Sequence, residues 1–360
     1  MPRTKQSPRS TPTRGVAVPA ARRRAAAELA RLLKPGMRVA LTTHVNADGD
    51  GLGSEVALWH MLAARGVRAA ITNPTPVPER YAFLLRGHEH ADKSPEAVKH
   101  LRRADAVVVL DISDLGRLGQ LGRVVQEAEV TVGCVDHHAS NGSLPPGPRL
   151  VDPRACATGE LIYDLGRAVG WPLNPAAARA LYVAILTDTG GFRFSNTSPR
   201  ALQVAAHLLG LGLDAEDIYR DVYATAPEGQ VRLLAEVLDT LVTEHDIGLA
   251  WVTVPPGALE RHDVDPEALE GVAEFPRSIK GMRLSLLFRQ LANRRVKVSF
   301  RSVGDVDVAQ LAAQFGGGGH KKAAGASLSG TLAEAQARVL AVARERLRGT
   351  DRPVDGQTDR

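Results

Sequence analysis

The chain has 360 residues, 45 Lys and Arg against 40 Asp and Glu, and a formal charge of +5. Its 44% hydrophobic content can bury a core, its length suits two domains, and no run of about 18 apolar residues marks a membrane span. Two cysteines, Cys134 and Cys156, are too few for a disulfide framework or a thiolate metal site and fit buried thiols of a cytoplasmic protein.

Residues 1–24 hold seven basic residues (Arg3, Lys5, Arg9, Arg14, Arg22, Arg23, Arg24) and no acid, so without them the formal charge is −2. Any weak nucleic-acid contact made by net charge therefore belongs to the N-terminus. Residues 1–21, rich in Pro, Ser, Thr and Arg, read as a disordered basic tail, and the last dozen, 349–360, read the same way.

Between these ends, Ala21–Lys34 has a helical pattern that stops at Pro35-Gly36. Strands are predicted over Met37–Thr43, Val67–Thr72, Ala106–Leu110 and Val130–Val135, with a helix over Ser54–Arg65. Continuous Val/Leu runs alternating with helices imply an α/β domain around a parallel sheet buried on both faces. Residues from about 157 to 243 turn helical, including a helix over 175–187. Strands over Gly248–Val254, Arg283–Phe288 and Val296–Phe300 follow, then a helix over Val308–Gln314 and a long Ala-rich helix over Thr331–Arg348. The expected organisation is an α/β domain over 22–225, a helical connector over 226–244 and a smaller α+β domain over 245–348.

Asp and His residues gather where those elements end. His44-Val-Asn46-Ala-Asp48-Gly-Asp50 follows the first strand, Asp111 the third, Asp136-His137-His138 the fourth, and Asp188 closes helix 175–187. Open α/β sheets bind ligands at the carboxyl ends of their strands. Alone, Asp48 or Asp50 would be read as a helix cap and Asp111 as a turn residue. Their recurrence at four element ends points instead to one site. So many carboxylates repel unless cations sit among them, and mixed Asp and His donors suit Mn²⁺, Mg²⁺, Fe²⁺ or Zn²⁺. Two ions about 3.5–4 Å apart would use every carboxylate and support metal-assisted phosphoester hydrolysis by an activated hydroxide.

Further on, Phe315 is followed by Gly316, Gly317, Gly318, Gly319, His320, Lys321 and Lys322. Glycines let backbone N–H groups approach an anion, and His320, Lys321 and Lys322 add positive charge. With Ser299 and Arg301 at the end of the preceding strand, the segment reads as an anion cradle rather than a linker. The α/β domain would then hold the chemistry and the small domain the substrate, with a cleft between them.

Together, His44-x-Asn46-x-Asp48-Gly-Asp50-x2-Gly53-Ser54, Asp111, Asp136-His137-His138, Asp188, Ser299-x-Arg301 and Gly316–His320 resemble the DHH phosphoesterase superfamily, the later pieces resembling its DHH-associated domain. The resemblance covers roughly residues 22–345 and is strongest to the bifunctional oligoribonuclease and pAp phosphatase branch, the nano-RNases. It implies two ions, usually Mn²⁺ with Mg²⁺ as a substitute. His44, Asp48 and Asp111 would hold one, and Asp50, Asp111, His137 and Asp188 the other. It further implies that Asp136 orients a histidine and that His138 contacts the scissile phosphate. Asn46, Ser299, Arg301, Gly316–His320 and Lys321 would meet the substrate.

The implied substrates are short oligonucleotides and pAp. Cyclic di-AMP or pApA is the alternative within the same chemistry. A RecJ-like exonuclease ranks lower because only 15 residues are aromatic and strand binding needs stacking rings. The glycine-run domain argues against a family II pyrophosphatase, and intact ligand positions argue against a non-enzymatic binder acting through its tail. Oligomeric state stays open, with a homodimer as the first expectation.

Overall fold

The computed structural model describes residues 15–88, 90–91, 94–139, 143–269 and 271–349, so the tail up to Arg14 and residues 350–360 lie outside the description. The chain divides after Thr225 into two units.

In the first unit, β1 (Arg38–Thr42), β2 (Arg68–Thr72), β3 (His90–Ala91), β4 (Ala106–Leu110), β5 (Thr131–Asp136) and β6 (Arg149–Val151) form one parallel sheet in the order β3-β2-β1-β4-β5-β6. The chain runs outward from β1 in one direction and then returns to lay β4 on its other side, a topological switch point between β1 and β4. Helices α1 (Ala20–Ala30), α2 (Gly49–Ala63), α3 (Ser94–Arg103), α4 (Gln120–Gln126), α5 (Thr158–Val169), α6 (Pro175–Asp188), α7 (Pro199–Leu209) and α8 (Ala215–Tyr223) complete it. The unbroken apolar run of β4 is explained by two cores: Val108 and Leu110 face the cluster with α1, α2, α5 and α6, while Val107 and Val109 face the one with α3 and α4.

Glycines set the closest helix contacts. A Cβ on Gly53 would stand 2.5 Å from the Ala180 carbonyl oxygen, one on Gly49 2.5 Å from Thr187 Oγ1, and one on Gly159 2.5 Å from Ala184 Cβ. This close packing of α2 and α5 on α6 draws the start of α2, the start of α5 and the end of α6 together.

The second unit begins with α9 (Glu228–Leu238), the helix of the expected connector, which packs Leu233 and Val237 into that unit's own core. Strands β7 (Val242–Glu244), β8 (Leu249–Val254), β9 (Leu284–Leu291), β10 (Arg295–Ser302), β11 (Gly318–His320) and β12 (Ala323–Ser329) give a sheet ordered β11-β12-β10-β9-β8-β7, antiparallel except for β8 with β9. Helices α10 (Ala258–Arg261) and α11 (Glu274–Arg277) lie between β8 and β9, with α12 (Val308–Ala313) before β11 and α13 (Leu332–Gly349) at the end. Strand alternation divides the two faces. Leu284, Leu286 and Phe288 meet α12 and α13, and Leu287 turns to the α9 side. No described helix is long and apolar enough to cross a membrane.

The N-terminal reading needs correction. Residues before 22 already pack on the first unit: the Val16 N–H donates to Tyr163 Oη at 3.0 Å, Val18 is buried, and α1 starts at Ala20. Arg22, counted above as a tail charge, is 4% exposed. It donates to Asp152 at 2.8 Å, Glu160 at 2.5 Å and Asp164 at 2.8 Å, while Arg200 binds the same Glu160 and Asp164 from α7. Composition missed this because the carboxylates that claim Arg22 lie at least 130 residues away. Removing one partner of a buried ion network typically costs about 3–5 kcal/mol, and each kcal/mol lowers Tm by about 2–4 °C in a unit of this size. Arg22→Met should therefore lower the thermal midpoint by roughly 6–20 °C; a shift below about 3 °C would show that the network does not hold α1 in place.

Candidate functional site

At the switch point, Thr42 of β1 pairs with Val109 of β4, so the next two residues bring His44 and Asp111 side by side. The Asp111 N–H donates to the Val135 carbonyl at 3.0 Å, which ties the same point to the end of β5 and to Asp136, His137 and His138. Asp111 adopts φ of 58°, a left-handed turn that Asp tolerates better than most residues.

The side chains converge. His44 Nε2 lies 3.7 Å from Asp48 Oδ2 and 3.5 Å from Asp111 Oδ2. His137 Nε2 lies 3.7 Å from Asp50 Oδ2, 3.6 Å from Asp111 Oδ1 and 3.7 Å from Asp188 Oδ2. The donors fall into overlapping groups, including His44–Asp48–Asp111 and Asp50–His137–Asp188, each with its donor atoms within 4.8 Å of one another. Separations near 3.6 Å are too wide for good hydrogen bonds. They suit donors that each stand about 2.0–2.2 Å from a shared ion. All donors are carboxylate oxygens and imidazole nitrogens, so the set fits hard or borderline divalent cations.

Each candidate ligand is aimed by a neighbour. The His44 ring uses Nδ1 on the Val45 carbonyl at 2.8 Å, leaving Nε2 as the inward donor. Asp48 serves twice, capping α2 through Oδ1 with the Asp50 and Gly51 N–H groups at 3.0 Å and turning Oδ2 toward His44. Asp50 accepts the Thr158 and Gly159 N–H groups at 2.7 and 2.9 Å, so the positive end of α5 points at this carboxyl. The Thr158 hydroxyl donates to Asp111 at 3.0 Å, and Asn196 donates to Asp188 at 3.1 Å. Asp136, fully buried, takes His138 Nδ1 at 2.8 Å and its N–H at 3.1 Å.

Charge shows the strain of this assembly without cations. Burial would lower His44, but Asp111 and Asp48 outweigh it and carry the ring up to about 10. Burial and the neighbouring carboxylates Asp111, Asp188 and Asp48 push Asp50 well above the usual carboxylate range. Burial raises Asp188 to about 6 against the pull of His137. Asp111 is buried too, yet His44, His137 and His138 hold it well below the ordinary range. Histidine protons here do what cations would do better.

Asn46 is exposed in the same loop at φ of 55°, its N–H bound to Thr75 Oγ1 at 2.7 Å. The remaining expected substrate residues lie in the second unit. There Ser299 faces Gly325, which faces Gly318, and Arg301 faces Ala323, which faces His320. Residues paired across a sheet share a face, so Ser299 and Arg301 border a strip cleared by Gly318, Ala323 and Gly325. Gly316 is left-handed at φ of 71°, and a Cβ on Gly317 would stand 2.2 Å from the Gly325 carbonyl oxygen, so the run is a tight turn into β11. Arg301 Nε donates to Glu274 at 2.8 Å, Lys321 is exposed, and the His320 side chain lies outside the described residues. Lys322, expected to add to the cradle, instead gives its ammonium to the Gly304 carbonyl.

Sequence reasoning did not identify Thr158, Asn196 or the support beneath β1. In that support, the Thr43 N–H donates to Asn73 Oδ1 at 3.1 Å, and Asn73 Nδ2 donates to Glu55 Oε2 at 2.9 Å. Thr158 carried one usable signal, a helix start with no capping side chain before it.

Residues 38–185 match the DHH family, N-terminal domain, and residues 248–349 match the DHHA1 domain. Over 85% of its length the chain is 34% identical to the bifunctional oligoribonuclease and PAP phosphatase NrnA of Thermus thermophilus, covering 89% of that protein. It is 29% identical to the protein of the same name from Bacillus subtilis, over 84% of this chain and 92% of the relative. Among solved structures, an exopolyphosphatase-related protein from Bacteroides fragilis superposes with a TM-score of 0.85 at 26% identity, covering 91% of this chain and 97% of the other.

Glu55 supplies a pH test of the support. It is fully buried, and burial carries its carboxyl from the ordinary 4.5 up to about 8. The folded state thus keeps a proton that the unfolded chain loses, so stability falls as pH rises from about 4.5 to 8 and levels off above. Glu55→Gln, which mimics the protonated form, should match wild type near the lower end of that window and unfold at a higher temperature above its upper end. Parallel melting curves would refute the buried proton.

Proposed function

The chain belongs to the DHH family, a DHH N-terminal domain followed by a DHHA1 domain, and on that premise we propose that it is a metal-dependent phosphoesterase acting on short oligonucleotides and on pAp. The observation that carries this reading is the pair of donor sets meeting at Asp111. His44, Asp48 and Asp111 would hold one divalent ion and Asp50, Asp111, His137 and Asp188 a second, with Mn²⁺ the first choice. Such a pair, when bound, neutralises charge at phosphorus and makes water a nucleophile at neutral pH.

The protein's own groups supply the rest. Despite burial, Asp136 and Asp111 raise His138 above an ordinary histidine, which favours the protonated ring that would donate to a phosphate oxygen. Asp136 fixes that ring by taking Nδ1. In the second unit, Glu274 anchors Arg301 through Nε, holding the guanidinium fork in one orientation beside the cleared strip. That strip, with the N–H groups of the glycine turn, is the proposed grip on a substrate phosphate.

A panel of pAp, dinucleotides to tetranucleotides, cyclic di-AMP, pyrophosphate and long single-stranded DNA, assayed with Mn²⁺, tests the assignment. Dinucleotides and pAp should be hydrolysed best, and faster degradation of long DNA would overturn it. Asp111→Ala should abolish activity on every substrate and remove the rise in melting temperature that Mn²⁺ gives wild type. Arg301→Ala should raise KM about ten-fold or more, in line with loss of a charge-assisted phosphate contact, with kcat within a few-fold. A pure loss of kcat would contradict a binding role.

A further inference from the structure

Of the large exposed aromatic side chains among the described residues, Phe194, Tyr219 and Tyr223 lie in the first unit. They gather near the end of α6, which carries Asp188. The Phe194 N–H donates to the Thr189 carbonyl at 3.0 Å, and Tyr223 Oη lies 3.4 Å from the Leu186 carbonyl. Tyr219 and Tyr223 contact each other, with ring centroids 5.1 Å apart.

Phe194 is the most distinctive of the three. The loop after Asp188 folds back so that Asn196 reaches the Asp188 carboxylate, and Phe194 lies within that turn, its N–H on the Thr189 carbonyl. Phe192, two residues earlier, packs its ring on Tyr182 with centroids 6.1 Å apart, whereas Phe194 is 50% exposed. Where a Cβ on Gly190 would stand, the Phe194 atoms Cζ, Cε1 and Cε2 lie at 2.5, 2.6 and 2.6 Å. Near-equal distances to three ring atoms put Gly190 over the flat of the ring. One face is therefore backed by glycine backbone, and only a residue without a Cβ permits this. Leaving a phenyl face to water forgoes burial that a Phe normally provides.

We propose that the open face of Phe194 is a stacking platform for a substrate nucleobase, positioned by the Gly190 contact next to the phosphate-handling residues. This deepens the phosphoesterase reading and rests on it. A π-face accepts any base, so the platform would give preference for nucleotides over other phosphoesters without strong base selectivity.

The test separates stacking from hydrolysis. Binding of AMP and of ribose 5-phosphate, which lacks the base, is measured calorimetrically with Mn²⁺ on wild type and on the Phe194→Ala, Phe194→Leu and Phe194→Trp variants. Loss of one base–aromatic stack is expected to weaken AMP about ten-fold or more in Phe194→Ala and Phe194→Leu. Ribose 5-phosphate should be unaffected, and Phe194→Trp should restore AMP binding. Equal weakening of both ligands, which a displaced Asp188 would cause, or unchanged AMP binding overturns the platform. Dinucleotide hydrolysis by wild type reports separately on the enzyme reading. If hydrolysis is absent while AMP discrimination depends on Phe194, the platform stands and the reaction assignment fails.

Discussion

A carboxylate that is 2% exposed at the end of a central strand stays ionised only if other groups compensate its lost hydration. Asp111 is that carboxylate, and the site is built out of the ways in which it is compensated. His44 reaches it from the end of β1, His137 and His138 from the end of β5, and the Thr158 hydroxyl from the start of α5. These approaches are possible because the order in which strands are added reverses between the parallel neighbours β1 and β4, where no crossover covers the strand ends. Asp50 and Asp188 arrive by a different route: they sit on helices drawn together by the contacts of Gly49, Gly53 and Gly159. Backbone topology delivers one half of the donors and helix packing the other.

That division explains what could be read from the chain alone. The β4 run, Ala106–Leu110, was legible as a doubly buried strand because every residue in it is apolar, and Asp111 stands out as the first charge after it. His44, Asp48, Asp136, His137 and Asp188 were legible for the same reason, each lying at the end of a periodic segment. What escaped was whatever depends on a partner distant in sequence. Thr158 and Asn196 look like ordinary loop and helix-start residues until their contacts with Asp111 and Asp188 are seen. Glu55 is the lone Glu in a helix of good formers, and only Asn73, 18 residues on, shows what it meets when buried. Strand β12 was missed because Ala323–Ser329 is small and polar, and it becomes a strand by pairing with β10 along seven residues.

The glycine run was anticipated as an anion cradle, and its geometry adds a second requirement. Gly316 must be left-handed after α12, and Gly317 and Gly319 must lie against the backbone of β12. Three of the four glycines are therefore needed to build the turn, whatever it binds. Gly318, with nothing within 4 Å of its missing Cβ, is the one that clears space on the Ser299 face. The same residue type thus does two jobs within four positions, which a reading from composition could not separate.

Charge is handled in two opposite ways within the first unit. Asp152, Glu160 and Asp164 are buried together and are matched by Arg22, Arg154 and Arg200. Guanidinium keeps its charge at any physiological pH, so that cluster is complete as it stands. Asp48, Asp50, Asp111 and Asp188 carry comparable negative charge, yet among the described residues no Lys or Arg pairs with them. Their partners are imidazoles, which give up their protons to become neutral ligands. A sequence with 37 arginines has no shortage of permanent cations, and α1 shows that it can bury one among carboxylates. Keeping them away from Asp111 is what leaves the position open to an exchangeable cation. Arginine placement thus separates an acidic cluster that is neutralised within the fold from one that can accept a cation more sharply than the number of acids in either.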